Sequence, residues 1–182
     1  KSNQLAVFMD STGRAYTLPA HKLPSARGQG EPLTSYFNIP SGAVFISAMI
    51  GAPDDLYLLG SDFGYGFVVR LGDIQARTKN GKAVLNVGKQ AKALPAVPVR
   101  DIEHDYIVAI TTEGHMLVTE LAELPQMARG KGNKIINVPA ARLKSGEESV
   151  CALSLIQDGE KMTVHSGKKY KNMKPDEVDS YY

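Results

Sequence analysis

The sequence predicts an all-β fold, a propeller-like array of four-stranded blades, and three observations carry the prediction. A unit of apolar strand, glycine turn, second strand and basic Gly-rich loop recurs about every fifty residues. The turn glycines Gly13, Gly64 and Gly114 are 51 and 50 residues apart, and Gly167 follows after 53 in a weaker fourth copy. The runs between turns are short and rich in Val, Ile, Leu and aromatic residues, the signature of strands. No stretch holds a 3.6-residue apolar period long enough to specify a helix. A repeat of this length belongs to arrays in which each unit is one small sheet buried against its neighbours.

In chain order, the first copy places strands at 5–9 and 14–18 around the turn Asp10-Ser11-Thr12-Gly13. The second places them at 56–59 and 67–71 around Asp62-Phe63-Gly64, and the third at 106–110 and 115–119 around Thr111-Thr112-Glu113-Gly114. Glycine closes each turn because a hairpin loop needs a residue that tolerates positive φ. A proline step follows at Leu23-Pro24, Leu124-Pro125 and, in the fourth copy, Met173-Lys174-Pro175. Proline stops the ladder because it has no N–H to donate. After the basic loop come two further expected strands per copy: 33–39 and 43–50, 83–87 and 96–102, 134–138 and 150–156. The copies therefore span 5–50, 56–102, 106–156 and 162–182, the last holding only a hairpin at 162–165 and 169–173. Three and a half blades cannot close a ring. One domain over 1–182 is expected as an open or incomplete array, and the start at Lys1 reads as a piece of a longer polypeptide.

The 182 residues, 43% of them hydrophobic, suffice for one substantial domain. Cys151 is the one cysteine, which excludes an internal disulfide and fits a reducing compartment. Between Val150 and Ala152 it is expected as a buried core thiol. No apolar run approaches a membrane span, and no charged-then-apolar leader is seen.

A net charge of +2 hides a strong segregation. The windows 77–92, 129–144 and 161–174 hold fifteen of the 21 Lys and Arg residues and none of the 19 acids. The loop arginines Arg27, Arg77 and Arg129 keep step with the repeat, at intervals of 50 and 52. One charge run is ordinarily a solvated face. Acid-free runs at matching repeat phases instead predict a basic rim, suited to the phosphates of a bent duplex. The candidate DNA contacts are Arg27, Arg77, Lys79, Lys82, Arg129, Lys131 and Lys134, flanked by Lys168, Lys169 and Lys171. Backbone amides of Gly28-Gln29-Gly30 and Gly130-Lys131-Gly132 are further candidate phosphate donors. Base-specific reading is not expected, since no recognition helix or zinc-ligand pattern occurs and phosphate contacts do not specify sequence.

Enzyme chemistry finds no footing. His21, His104, His115 and His165 are scattered without metal-ligand spacing, no Gly-x-Ser-x-Gly elbow occurs, and Gly81-Lys82-Ala83 lacks the rest of a phosphate-binding loop. No catalytic residue, metal site or cofactor is expected in this chain. The alternative to DNA binding is a protein-interaction propeller using acidic connectors such as 101–105, or exposed strand edges.

Four phrases resemble the C-terminal domains of ParC, the A subunit of bacterial DNA topoisomerase IV. They are Val7-Phe8-Met9-Asp10-Ser11-Thr12-Gly13-Arg14, the run from Leu23-Pro24-Ser25-Ala26-Arg27 to Leu33, Ser61-Asp62-Phe63-Gly64-Tyr65-Gly66-Phe67, and Gly130-Lys131-Gly132-Asn133-Lys134-Ile135-Ile136-Asn137. The resemblance implies a β-pinwheel, a propeller variant whose blades exchange strands, a topology that periodicity does not distinguish from an ordinary propeller. The related gyrase A protein carries a Gln-Arg-Arg-Gly-Gly-Lys-Gly box. Gln126-Met127-Ala128-Arg129-Gly130-Lys131-Gly132 keeps its glutamine, fifth-place glycine, lysine and final glycine but not its paired arginines, which favours topoisomerase IV. The resemblance further implies a role in DNA strand passage, decatenation and chromosome segregation, in which this domain holds DNA and biases which crossings are captured. ATP and Mg would act on the partner protein ParE and the catalytic core. The breaking tyrosine would lie in an N-terminal region, through which the ParC homodimer and ParE are also met, so Tyr181 and Tyr182 are not given that role. Contact with bacterial condensin is implied as well, and a cytoplasmic, nucleoid-associated location with the parent enzyme peripheral at the inner membrane.

Overall fold

The computed structural model describes residues 4–182; Lys1, Ser2 and Asn3 lie outside the described residues. Thirteen strands follow in order: β1 Leu5–Asp10, β2 Arg14–Pro19, β3 Phe45–Gly51, β4 Leu56–Gly60, β5 Tyr65–Arg70, β6 Lys82–Ala83, β7 Val97–Pro98, β8 Asp105–Thr111, β9 Met116–Glu120, β10 Asn133–Lys134, β11 Val150–Gln157, β12 Met162–Ser166 and β13 Lys169–Met173. Two short helices, α1 Ala140–Ser145 and α2 Pro175–Asp179, complete them.

The three expected hairpins form with one geometry. Leu5 faces Pro19 and Met9 faces Ala15; Leu56 faces Arg70 and Gly60 faces Gly66; Tyr106 faces Glu120 and Ile110 faces Met116. A third strand of the same copy joins each hairpin, β3 on β1, β7 on β4 and β11 on β8. The fourth strand comes from the following copy. β6 pairs with β2 of the first sheet, and β10 pairs with β5 of the second. The sheets therefore read β3-β1-β2-β6, β10-β5-β4-β7, β11-β8-β9 and β12-β13. This is the exchange of a pinwheel. No strand among the described residues closes the outer edge of β9, where only the Tyr181 carbonyl accepts the Val118 N–H at 2.9 Å.

The core follows from the exchange. Val84 and Leu85, just past β6, pack with Val7, Met9, Met49, Leu59 and Phe67 between the first two sheets. Ile135 and Ile136, just past β10, pack with Leu58, Val68, Ile107 and Val150 between the second and third. Each such side chain removed from water is worth about 1.5–3 kcal/mol, so the exchanged strand is held mainly by the apolar pair that follows it. On the first sheet Phe8, Tyr16, Phe37 and Phe45 form an aromatic cluster, with Tyr16 and Phe37 centroids 5.2 Å apart.

Several expectations are corrected. Residues 33–39 are not a strand: a 3₁₀ turn at Leu33–Ser35 lets the Pro32 and Leu33 carbonyls take the N–H groups of Ser35, Tyr36 and Phe37, and Phe37 enters the aromatic cluster. The expected strand 83–87 is two residues, Lys82–Ala83, because the Gly13 carbonyl accepts both Val84 and Leu85 N–H groups and bends the chain away. Strand 134–138 likewise shortens to Asn133–Lys134, and both short strands belong to the preceding sheet. Strand 96–102 shrinks to Val97–Pro98, flanked by Pro95 and ended by Pro98, which lack donors. The helices α1 and α2 are too short to leave a periodic trace; α1 stops at Gly146 with φ 78°. Gly167 is not a fourth copy of the repeat turn, since Ser166 pairs directly with Lys169 around a two-residue loop. Cys151 is exposed rather than buried: the register slips between Val150 and Ala152, and as the bulged residue it leaves the core face.

Candidate nucleic-acid interface

The exchange carries each basic loop onto the hairpin of the copy before it. Lys82–Ala83 faces Ala15–Arg14, and Asn133–Lys134 faces Gly66–Tyr65, a shift of 51 residues in both partners. Arg77 and Arg129, 52 apart, are therefore one position out of phase; Thr78 is the equivalent of Arg129.

One line of backbone contacts joins three copies. The Gly13 carbonyl takes the Leu85 N–H at 3.0 Å, Leu85 bridges to Gly130 in parallel, and Gly130 exchanges hydrogen bonds with Val84 and Asn86 at 2.9 and 2.8 Å. Arg14 follows Gly13 and Arg129 precedes Gly130, so this line sets both on one groove of about 570 Å³, together with Lys89. Thr12, Asn86, Gly88 and backbone of 83–85 form its walls. Arg14 is fixed without being neutralised: its guanidinium donates to the Asn80 carbonyl at 2.8 and 3.2 Å and to the Gly81 carbonyl at 3.2 Å.

A second groove of about 270 Å³ gathers Lys22 of the first copy with Arg77 and Lys79 of the second, against Tyr36 and Phe37. The loop is tied down there by Asn38, whose N–H donates to the Lys79 carbonyl at 2.9 Å and whose side-chain amide donates to Asn80 at 2.9 Å. Lys82 shares the neighbouring hollow with Arg77 and donates to the Asp73 carbonyl at 2.9 Å. Over the second hairpin, the Lys131 ammonium sits 3.9 Å and that of Lys134 5.9 Å from the centre of the Tyr65 ring.

Among the described residues no carboxylate forms an ion pair with Arg77, Lys79, Lys82, Arg129, Lys131 or Lys134, nor with Arg14, Lys22 or Lys89. The remaining candidates stand apart. Arg27 is exposed on a loop whose residues 31 and 32 hold the phase of β6 and β10 but meet no preceding sheet among the described residues. Lys168 and Lys169 lie on the terminal hairpin, and Lys171 is paired with Glu177 at 3.3 Å. The proposed amide nest at 130–132 is partly used, because the Gly130 N–H is bound to Val84. Arg142, inside an acid-free window, is claimed by Glu148 at 2.9 Å and by Glu113 and Glu147 at 3.6 Å. Sequence reasoning missed Arg14, Lys22, Lys89 and Tyr65; the repeat phase of Arg14 and Tyr65, each directly after a turn glycine, was the available signal.

Comparison with known proteins defines the class first. The family described as "DNA gyrase C-terminal domain, beta-propeller" matches residues 55–92 and 105–154. The A subunit of DNA topoisomerase 4 from Pseudomonas aeruginosa is 46% identical over 181 residues, covering 100% of this chain and 24% of that protein. Its counterpart from Escherichia coli K12 is 42% identical over 178 residues, covering 98% of the chain and 24% of the relative. The solved C-terminal domain of E. coli ParC superimposes with a TM-score of 0.89 at 42% identity, over 99% of this chain and 73% of that one. A crystal structure of a topoisomerase IV C-terminal domain shares the fold, with a TM-score of 0.79 at 17% identity, over 95% and 54%. The chain belongs to the family of C-terminal domains of ParC, the topoisomerase IV protein of this type. It spans about a quarter of the length of the relatives it matches.

Proposed function

We propose that this chain binds the backbone of duplex DNA across the junction of its first two sheets, and so helps a type II topoisomerase select the crossings it acts on. The observation that supports this best is the Gly13–Leu85–Gly130 line, which gathers Arg14, Lys89 and Arg129 from three copies with no carboxylate partner among the described residues. Lys22, Arg77, Lys79 and Lys82 of the two other hollows, and Lys131 and Lys134 at Tyr65, are the further contacts of this reading. Arg27 and the Lys168, Lys169 and Lys171 cluster are outlying contacts. This domain performs no bond chemistry and takes no cofactor; ATP and Mg belong to ParE and the catalytic core, which the longer ParC homodimer would engage elsewhere. The relatives' shared name, which makes them part of a DNA topoisomerase, supports the same reading; on that reading the domain works in the cytoplasm at the nucleoid.

The protein-interaction reading, with condensin as partner, has less in its favour on the acidic connector. Asp105 is buried and accepts N–H groups of Arg100 and Asp101 and the Gln157 side chain, while Asp101 is bound to His104 at 2.8 Å.

If about six cations meet phosphates, log K should fall against log salt with a slope of about −5, from roughly −0.9 per phosphate. Replacing Arg129 and Lys131 by alanine should weaken binding alike on unrelated duplexes. A salt-independent affinity, or a loss confined to certain sequences, would count against backbone binding.

A further inference from the structure

The residue directly after each repeat-turn glycine occupies one equivalent place on three hairpins, and its chemistry differs at each. In the first copy Arg14 is itself a cation held by carbonyls. In the third, His115 Nδ1 lies 2.6 Å from the buried Glu148 carboxylate, which Arg142 also reaches at 2.9 Å. In the second, Tyr65 offers a ring face to two lysines of the next copy. Ladder pairing fixes the encounter. Lys134 faces Tyr65 across β10 and β5, and a Cβ on Gly132 would overlap the Gly66 carbonyl, so the loop lies flat on the hairpin and delivers Lys131 over the ring. Lys134 is steadied further by donating to Asn137 at 3.1 Å.

We propose that Tyr65 is a positioning residue that presets Lys131 and Lys134 as a pair of cations for adjacent backbone phosphates, an inference that rests on the DNA reading above. A lysine side chain normally loses rotamer freedom when it grips an anion. An ammonium already attracted to an aromatic face has surrendered part of that freedom before the ligand arrives, which leaves more of the contact for affinity. Both lysines are exposed and free of carboxylates among the described residues, so the ring orders their charge without cancelling it.

The test uses the 182-residue chain with its Tyr65→Phe and Tyr65→Leu variants. In the free protein, ring-current displacement of the Lys131 ε-methylene proton signals should be present in the parent and in Tyr65→Phe, and absent in Tyr65→Leu. Affinity for a mixed-sequence duplex should fall about three- to tenfold in Tyr65→Leu and stay within about twofold in Tyr65→Phe. Lys131→Met combined with Tyr65→Leu should lose less than the product of the separate losses. Should Tyr65→Leu fold poorly, the ring-current shift in the parent and the coupling of Tyr65→Val, a residue suited to a strand, with Lys131→Met still decide. An unshifted Lys131 signal in the parent, or a well-folded Tyr65→Leu that binds DNA as tightly as the parent, overturns the positioning role alone. A parent chain that shows the shift yet binds no duplex overturns the DNA reading, and the phosphate role of the pair with it.

Discussion

Gly13, Gly64 and Gly114 share a left-handed backbone, with φ of 85°, 84° and 83°, yet only the first two are pressed from outside. A Cβ on Gly13 would overlap the Leu85 carbonyl, and one on Gly64 would lie 2.7 Å from the Ile136 carbonyl. Gly114 has open space there, because no described segment follows the third copy across its turn. Alanine at 114 should therefore cost only the backbone penalty, about 1 kcal/mol. Alanine at 13 adds displacement of the packed segment at Leu85, and about 3 kcal/mol is expected in total. Urea denaturation of the two variants measures the difference; equal losses would mean that the close approach at Leu85 contributes nothing. Polar bracing of these turns also varies residue by residue. Buried Asp10 accepts from Thr12, Arg14 and the Tyr16 hydroxyl, whereas Thr111 donates to Glu148 from 37 residues away.

Between elements, the ion pair of Arg100 and Glu160 ties the segment before β8 to the turn between β11 and β12. Two parallel hydrogen bonds of 2.6 and 2.7 Å join them, and the Gln157 N–H adds a third at 2.8 Å. Arg100 above all, then the Gln157 amide, holds the Glu160 carboxyl down at about 2. A carboxyl depressed on folding stabilises the folded state above its unfolded value, near 4.5, and that stabilisation is lost as pH falls toward 2. Glu160→Gln should thus lower Tm at neutral pH and flatten the acid limb, so that its profile meets the parent's near pH 2. A profile running parallel to the parent's across that acid range would deny the pair this part. Glu148, lowered chiefly by His115 and Thr111, and Asp101, lowered chiefly by His104, act in the same direction and leave a residual acid limb in the variant.

At the scale of the whole molecule, exchange makes each sheet depend on the next copy. A chain ending at residue 104 keeps all four strands of the first sheet but removes β10 and the Ile135–Ile136 packing from the second. Amide exchange should then stay slow along β2 and become fast along β5, although both hairpins are present. Ending the chain at 139 restores β10 without β11 and should slow β5 again. Equal protection of β5 in the two truncations would contradict the dependence. The same exchange shapes the charge. Cations of different copies, Lys22 with Arg77 and Arg14 with Arg129, come to line common grooves, while acids around α1 and α2 take Arg142 and Lys171 out of the path.

Hairpins, turns and the fifty-residue period were legible in the chain because they depend on local properties: apolar runs, a residue tolerant of positive φ, proline where a donor is lacking. The segregation of Lys and Arg was legible for the same reason, and so was the kinship that the phrases around Gly13, Gly64 and Gly130 carry. Which copy supplies the fourth strand was not, since a two-residue ladder such as Lys82–Ala83 has almost no signature of its own. Its partner is chosen by where Val84 and Leu85 find an apolar gap, and that gap exists only between assembled sheets. The place of Arg14 beside Arg129 and the two ammoniums over Tyr65 follow from that choice, and the exposure of Cys151 follows from the bulge between β11 and β8. Local chemistry determined the units and their charge; packing between units decided which charges stand together.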